Sequence, residues 1–309
     1  MLPANQPKSP LVTTRCMSCR IFIPWQQGES DMSKTRTSRW GAVFTIALVS
    51  SLLVLTGCGS AATLSDLKRV KQDGILTVGN DTTFAPFEFV DSTNKPTGFD
   101  IDLIAAVAQK LGLKADIVTT AWDGIIPALQ TQKFEIVISS MTITTDREKE
   151  VSFSIPYYRA DMGIMYNPAK NTITKPEDLV GKTVGVQIGT TGEIDAKSIP
   201  GVKVKSYPDI QLATLDLENG KIDAVVNDYP VSAYYAKDSP TLTVIRMLKV
   251  NNLGLPAQYY GIAMRLEDKQ LKTAVDQALR DLAKDGTYDT IYTKWFGGTP
   301  NFRPGDQKS

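Results

Sequence analysis

Twice along this chain, short apolar runs rich in Val and Ile alternate with stretches of helical periodicity, and this alternation restricts the possible folds more than any other feature. The first series predicts a short helix over 64–70, a strand over 75–79, a helix over 101–111 ended by Gly112, a strand over 115–119, a helix over 124–132 and a strand over 134–139. The second predicts a strand over 183–187, a helix from about Gly192, a strand over 202–206, a helix over 210–219 and a strand over 224–227. Strand, helix, strand in sequence implies parallel pairing with helices on the sheet faces. The expected fold is therefore α/β, in two lobes, each a mostly parallel sheet flanked by helices. A strand over 260–264 and an amphipathic helix over 271–285, ended by Gly286, close the chain. If that closing segment returns to the first lobe, the chain crosses between lobes twice, as a two-strand hinge requires. The boundaries that follow are 64–156 and 257–298 for lobe 1, 157–161 and 252–256 for the hinge, 162–251 for lobe 2, and 299–309 for a polar tail.

The segment before the first helix has a different logic. Residues 40–57, WGAVFTIALVSSLLVLTG, carry no charge and follow Lys34, Arg36 and Arg39, which is the layout of an export signal. Eighteen uncharged residues can also just span a bilayer, so a retained anchor is the competing reading. The end of the run, Leu55-Thr56-Gly57-Cys58, resembles a bacterial lipobox, which makes Cys58 the lipid acceptor and 58–63 an anchored linker. Met32 opens a signal of usual length (32–57), so 1–31 read as a mis-annotated upstream segment, and the Cys16/Cys19 pair within it as a chance C-x-x-C. Removing residues 1–57, with six of the 34 basic and two of the 33 acidic groups, leaves 252 residues with 28 basic against 31 acidic, a net charge of −3.

Composition excludes several chemistries. The chain contains no histidine, so no Ser-His-Asp or Cys-His nucleophile, no His-ligated zinc and no histidine pH switch can be built from it. A full-length net charge of +1 gives no field to gather nucleic acid.

Four segments resemble the type II periplasmic amino-acid-binding proteins of ABC importers: GNDTTFAPFEF at 79–89, GFDIDL at 98–103, WDGIIPAL at 122–129 and TITTDR at 142–147. QIGTTG at 187–192, GTY at 286–288 and KWFG at 294–297 continue the match in order. Within that family the stretches DTTFAPFEF, GIIPALQT and QYYGIA are most similar to the glutamine-binding proteins. The resemblance implies a two-lobe type II fold and a non-catalytic, monomeric receptor without cofactor. Its ligand would be a polar L-amino acid, glutamine first, and it would serve an ABC permease and its ATPase from the outer side of a membrane, held there by Cys58.

The same resemblance assigns roles. Arg147 would take the ligand carboxylate with two parallel hydrogen bonds, helped by the backbone at Thr191, where a helix begins. Thr142 would meet the ligand through its hydroxyl and backbone N–H, the carbonyl at Ser140, next to Ser139 in the same site, would take an ammonium hydrogen, and Asp228 would pair with the ammonium itself. Phe84 and Trp122 would sandwich the ligand side chain, while Asp81 and Gln187 would face its far end. On residue type alone, each also suits a structural role: a surface Arg after a turn, an N-cap Thr, an Asp opening a turn before Pro230, aromatics in a core. Two departures, Gln187 where the glutamine-binding pattern has Lys and Asn227 where it has His, leave arginine, lysine or glutamate open beside glutamine. An enzyme on the same fold, such as a dehydratase or a lytic domain, and a sensory domain are the other classes open to this sequence.

Overall fold

A computed structural model describes residues 66–247, 249–250, 253–254 and 258–306. The expectations for the upstream segment, the signal, Cys58 and the linker up to residue 63 lie outside the described residues, as do hinge positions 252 and 255–256.

Two five-stranded sheets are built to one plan. In the first, the order is Lys114–Thr119, Ile75–Asn80, Ile136–Val137, Ala263–Met264, Ser152–Phe153; in the second, Lys203–Tyr207, Thr183–Gln187, Ala224–Asp228, Met162–Tyr166, Thr243–Arg246. In each, the first three strands are parallel and the last two join antiparallel, so half the pairings are antiparallel and the sheets are mixed rather than mostly parallel. The antiparallel strands are those next to the crossings between lobes, where the chain enters a sheet without a crossover helix to set its direction.

Helices begin where local chemistry satisfies their free N–H groups. Thr190 caps Thr191–Ser198 by accepting from the Glu193 amide, and Asp209 caps Ile210–Glu218 from Leu212. Pro230 stands at the start of a helix, Tyr229–Lys237, and not in a simple turn, since its fixed φ and missing N–H suit the first turn. Thr287–Phe296 follows Gly286 at φ 82°, and the 16-residue Lys269–Lys284 lays Leu271, Val275, Leu279 and Leu282 against the first lobe.

Two expected strands are shorter or divided. Of 134–139 only Ile136–Val137 pairs in the ladder, because the next residues turn toward the cleft. The 260–264 strand is two: Gln258–Tyr260 pairs with Tyr158–Ala160, and Ala263–Met264 joins the first sheet. Tyr158–Ala160 and Gln258–Tyr260 are thus the two crossings, antiparallel, with Tyr158 opposite Tyr260. The second lies downstream of the expected 252–256, where Leu253–Gly254 pairs back on Lys249–Val250.

The crossings are seated on an aromatic cluster of the first lobe. Tyr158 and Tyr260 stack at 5.5 Å, and Phe87 meets Tyr158 edge-on at 4.8 Å. Gly98, at φ 135°, lets Phe99–Lys110 start against this cluster, since a Cβ there would lie 2.0 Å from the Phe87 carbonyl. At the far end of the lobe Arg265, 3% exposed, donates to Glu135 (2.7 Å) and the Phe134 carbonyl (3.0 Å) and pairs with Asp268 (2.8 Å). The second lobe's core is mainly aliphatic, with Ile164, Val184, Val186, Ala224 and Val226 fully buried.

Candidate functional site

Where the two sheets present their strand ends to each other, a cleft of about 290 Å³, counting the space open to solvent, lies between the lobes. It lies at the carboxyl ends of parallel strands, where open α/β sheets generally place ligands. All ten residues singled out from the sequence line it, together with Glu88 and Thr190.

The first lobe supplies a positive group tied down by carbonyls. Arg147 follows the TITTD turn, and its guanidinium donates to the Thr142 carbonyl (2.8 Å) and, across the cleft, to Gly189 (3.1 Å). It lies 5.0 Å from the centre of the Trp122 ring. Burial pulls its pKa down to about 10, with Asp228 opposing that fall.

The second lobe supplies the negative counterpart. Asp228 ends the strand Ala224–Asp228 and occupies the cap position of Tyr229–Lys237 without capping it. Burial pushes its pKa up to about 7, Tyr260's hydroxyl and Arg147 pulling the other way, and one carboxylate oxygen is buried without a hydrogen-bond partner. Among the described residues Arg147 and Asp228 form no direct ion pair, so each keeps capacity for another charge. Thr190 and Thr191 bring a helix N-terminus to the same wall, a place that favours anions.

Further along the cavity, Asp81 is held by three donors and one acceptor of its own N–H. Its carboxylate accepts from Thr83 (2.7 Å) and from the Gln187 amide across the cleft (2.9 Å), while its backbone N–H donates to Ser139 (3.0 Å). A further bond comes from the Trp122 backbone. Burial outweighs these bonds and raises its pKa. Phe84, 6% exposed, and Trp122 contribute the apolar walls. Asn227, the position of the missing histidine, is buried but does not line the cavity, because successive residues of a strand face opposite sides.

Three participants were not assigned from the sequence. Gln258, on the second crossing, accepts from the Thr142 hydroxyl (3.0 Å) and the Thr191 hydroxyl (2.8 Å) through one oxygen, linking both lobes at the crossing. Its only signal was a polar residue opening QYYGIA. Glu88 accepts from Ser139 (2.9 Å) and Ser140 (3.1 Å), and the signal for it was an acid inside the aromatic run FAPFEF. Thr190, whose residue type signals only a helix cap, caps Thr191–Ser198 and lines the cavity as well. Among the described residues no group of three or more His, Cys, Asp or Glu could hold a metal ion.

Comparison with known proteins agrees with this geometry. The chain is 36% identical to ABC transporter arginine-binding protein 1 of Escherichia coli (strain K12) over 222 residues, covering 72% of this chain and 90% of that protein. It is 33% identical to the L-cystine-binding protein TcyJ of the same strain over 257 residues, 82% of this chain and 93% of the relative. An ancestral arginine-binding protein, solved bound to glutamine and bound to arginine, superposes with a TM-score of 0.68 at 43% identity, covering 99% of that protein and 73% or 72% of this chain. The profile of the bacterial extracellular solute-binding proteins, family 3, matches residues 76–298. With the mixed two-lobe α/β fold of the type II periplasmic binding proteins and a cavity at its strand ends, the chain belongs to the bacterial extracellular solute-binding proteins of family 3.

Proposed function

We propose that this protein is the non-catalytic amino-acid receptor of an ABC importer, binding one L-amino acid between its lobes and presenting it to a permease and its ATPase. The carrying observation is a pair of opposite charges, Arg147 and Asp228, that face one cavity without pairing with each other. An α-carboxylate suits Arg147 and the helix N-terminus at Thr191; an α-ammonium suits the open oxygen of Asp228. A ligand that bridges them joins the lobes and shifts the balance toward closure. Affinity on the order of 1 μM, about −8 kcal/mol, is sufficient and reversible.

The far end of the cavity favours a cationic side chain. Asp81 is a buried carboxylate with Glu88 in the same cavity, Asp209 near enough to raise its pKa further, and no lysine among the lining residues. Arginine, whose planar guanidinium meets a carboxylate with two hydrogen bonds, stands first. Glutamine stands second, since its amide can exchange hydrogen bonds with Gln187 and donate to Asp81. Calorimetry with the twenty amino acids tests the reading, and no heat from any polar one would sink it. Asp81→Asn then separates the two ligands: arginine affinity falls by about tenfold or more, near 1.4 kcal/mol, while glutamine affinity changes little.

Anchoring belongs to the same proposal, with a monomeric receptor held at the outer face of the cell membrane by acylated Cys58 after removal of the signal. Cys58→Ser should move the protein from the membrane fraction to the soluble extracytoplasmic fraction; a protein that stays with the membrane refutes the anchor.

A further inference from the structure

At the cavity wall of the first lobe lie two carboxyl groups, Glu88 lining the cavity and Asp100 behind it, whose bonds to the Ser139–Ser140 turn go beyond lining it. Glu88 and Asp100 are both fully buried, and they lie within hydrogen-bonding reach of each other. Gly98 brings them together: its φ of 135° allows the Phe99 and Asp100 amides to donate to the Pro86 and Phe87 carbonyls, laying the helix start against the strand that carries Glu88.

Both groups grip one turn. Glu88 accepts from the Ser139 and Ser140 hydroxyls; Asp100 accepts through Oδ2 from the Ser140 amide (2.8 Å) and the Tyr157 hydroxyl (2.8 Å). Ser140 has φ 48°, a left-handed conformation that costs a non-glycine residue about 1 kcal/mol or more unless its surroundings impose it. The turn is thus held against its own preference by two acids.

The other oxygen of Asp100, Oδ1, is buried with no hydrogen-bond partner. Two ionised carboxylates buried side by side, one with an unsatisfied oxygen, are not a stable arrangement. The groups facing the pair do not neutralise it: Asp81 is acidic, and Tyr157 and Tyr288 are hydroxyls. Arg147, across the cavity, directs its donors to the Thr142 and Gly189 carbonyls. A single proton between the two acids resolves the conflict by making one of them a donor to the other.

We propose that Glu88 and Asp100 share one proton at neutral pH, and that this neutral-acid–carboxylate pair is the positioning device that holds the Ser139–Ser140 turn in its ligand-accepting shape. Burial, with Asp100 beside it, raises Glu88 well above the ordinary carboxylate range, and burial raises Asp100 as well. Acids whose folded pKa is raised contribute stability that is complete below their unfolded pKa and is lost as pH rises through the folded pKa. Alkali should therefore release the proton to solvent, leave two anions in contact and loosen the turn. The positioning role rests on the amino-acid reading above; the shared proton does not.

Infrared spectroscopy of the ligand-free protein tests the proton directly. A carbonyl stretch from a protonated carboxylic acid is expected at neutral pH, absent from E88Q, and lost from the wild type as pH rises; the difference between wild type and E88Q separates it from Asp228. No such difference band overturns the proposal. If E88Q fails to fold, the wild-type band should disappear over the same alkaline range in which thermal stability falls, and a band that does not titrate with stability overturns it.

Calorimetry with L-arginine and L-glutamine tests positioning. Between about pH 7 and about pH 9, wild-type affinity should fall about tenfold more than that of E88Q, whose amide keeps a neutral donor toward Asp100 without a proton to lose. Equal pH profiles would remove the positioning role. If neither amino acid binds, the ligand reading and the positioning role fall together, while the infrared band still decides the shared proton.

Discussion

The two lobes share one strand plan but meet the cavity with different chemistry. The first has charge built into its interior: Glu88 and Asp100 under the Ser139–Ser140 turn, Arg265 between Glu135 and Asp268, and Arg147 tied to two carbonyls. The second has an aliphatic core and brings to the cleft a helix N-terminus and Asp228, whose carboxylate keeps an open oxygen. The first lobe is a braced surface in which most polar groups already have partners. The second leaves its principal charge unsatisfied, so a ligand gains most by meeting it. Contacts across the cleft include Gln187 to Asp81, Arg147 to Gly189, Tyr235 to the Thr83 carbonyl, and Gln258 to both Thr142 and Thr191.

The contrast is most severely tested by removing a brace. Arg265→Ala leaves Glu135 and Asp268 buried without their cation and should lower unfolding free energy by about 3–5 kcal/mol in denaturant titration, with the cleft residues untouched. A loss near zero would show that the first lobe does not depend on its internal charges. On the other side, Asp228→Asn should weaken amino-acid binding by about 2–5 kcal/mol, because the ammonium would enter the cavity unpaired. Stability should change far less, since that carboxylate makes few bonds within the protein; a large stability loss with unchanged binding would reverse the contrast.

Smaller effects sharpen it. Arg147→Lys should weaken binding at least about tenfold, or about 1.4 kcal/mol, since an ammonium cannot reproduce the two parallel bonds of a guanidinium. Unchanged affinity would remove Arg147 from the site. Proton linkage at Asp228 gives a comparable effect. Its pKa is raised to about 7, so its own contribution to stability is present at low pH and is lost as pH rises through that value. A ligand ammonium requires the ionised form, so affinity measured by calorimetry should fall by up to about tenfold per unit as pH drops below about 7. This acid-side loss is opposite in sign to the alkaline loss expected from Glu88 and Asp100, and a flat profile on both sides would remove both linkages. The smallest effect belongs to the crossing: Gln258→Ala should cost about 0.5–1.5 kcal/mol of affinity by freeing Thr142 and Thr191.

The two-lobe plan was legible because helices and parallel strands leave periodic apolar patterns, and the bounds of Thr183–Gln187 match the expected strand. Strands near the crossings were not legible. Met162–Tyr166, buried along its whole length, carries no alternation, and Gln258–Tyr260 with Ala263–Met264 reads as one apolar run although the chain changes sheets within it. The ten cavity residues were reached by resemblance to ordered family motifs. As isolated residues, Arg147 and Asp228 would equally suit surface or turn positions.

The sequence by itself determined most local elements, with helix starts at Thr190 and Asp209, and the absence of any imidazole, whereas the helix at Pro230 read only as a turn. Tertiary structure alone decided which charges pair and which remain open. Arg147 lies 81 positions from Asp228, Gln258 lies 116 from Thr142, and Glu88 meets Asp100 only through the bend at Gly98. Whether a buried carboxylate is satisfied, shared or left for a ligand depends on distances of a few ångströms in a low-dielectric interior, and only the folded chain sets those distances.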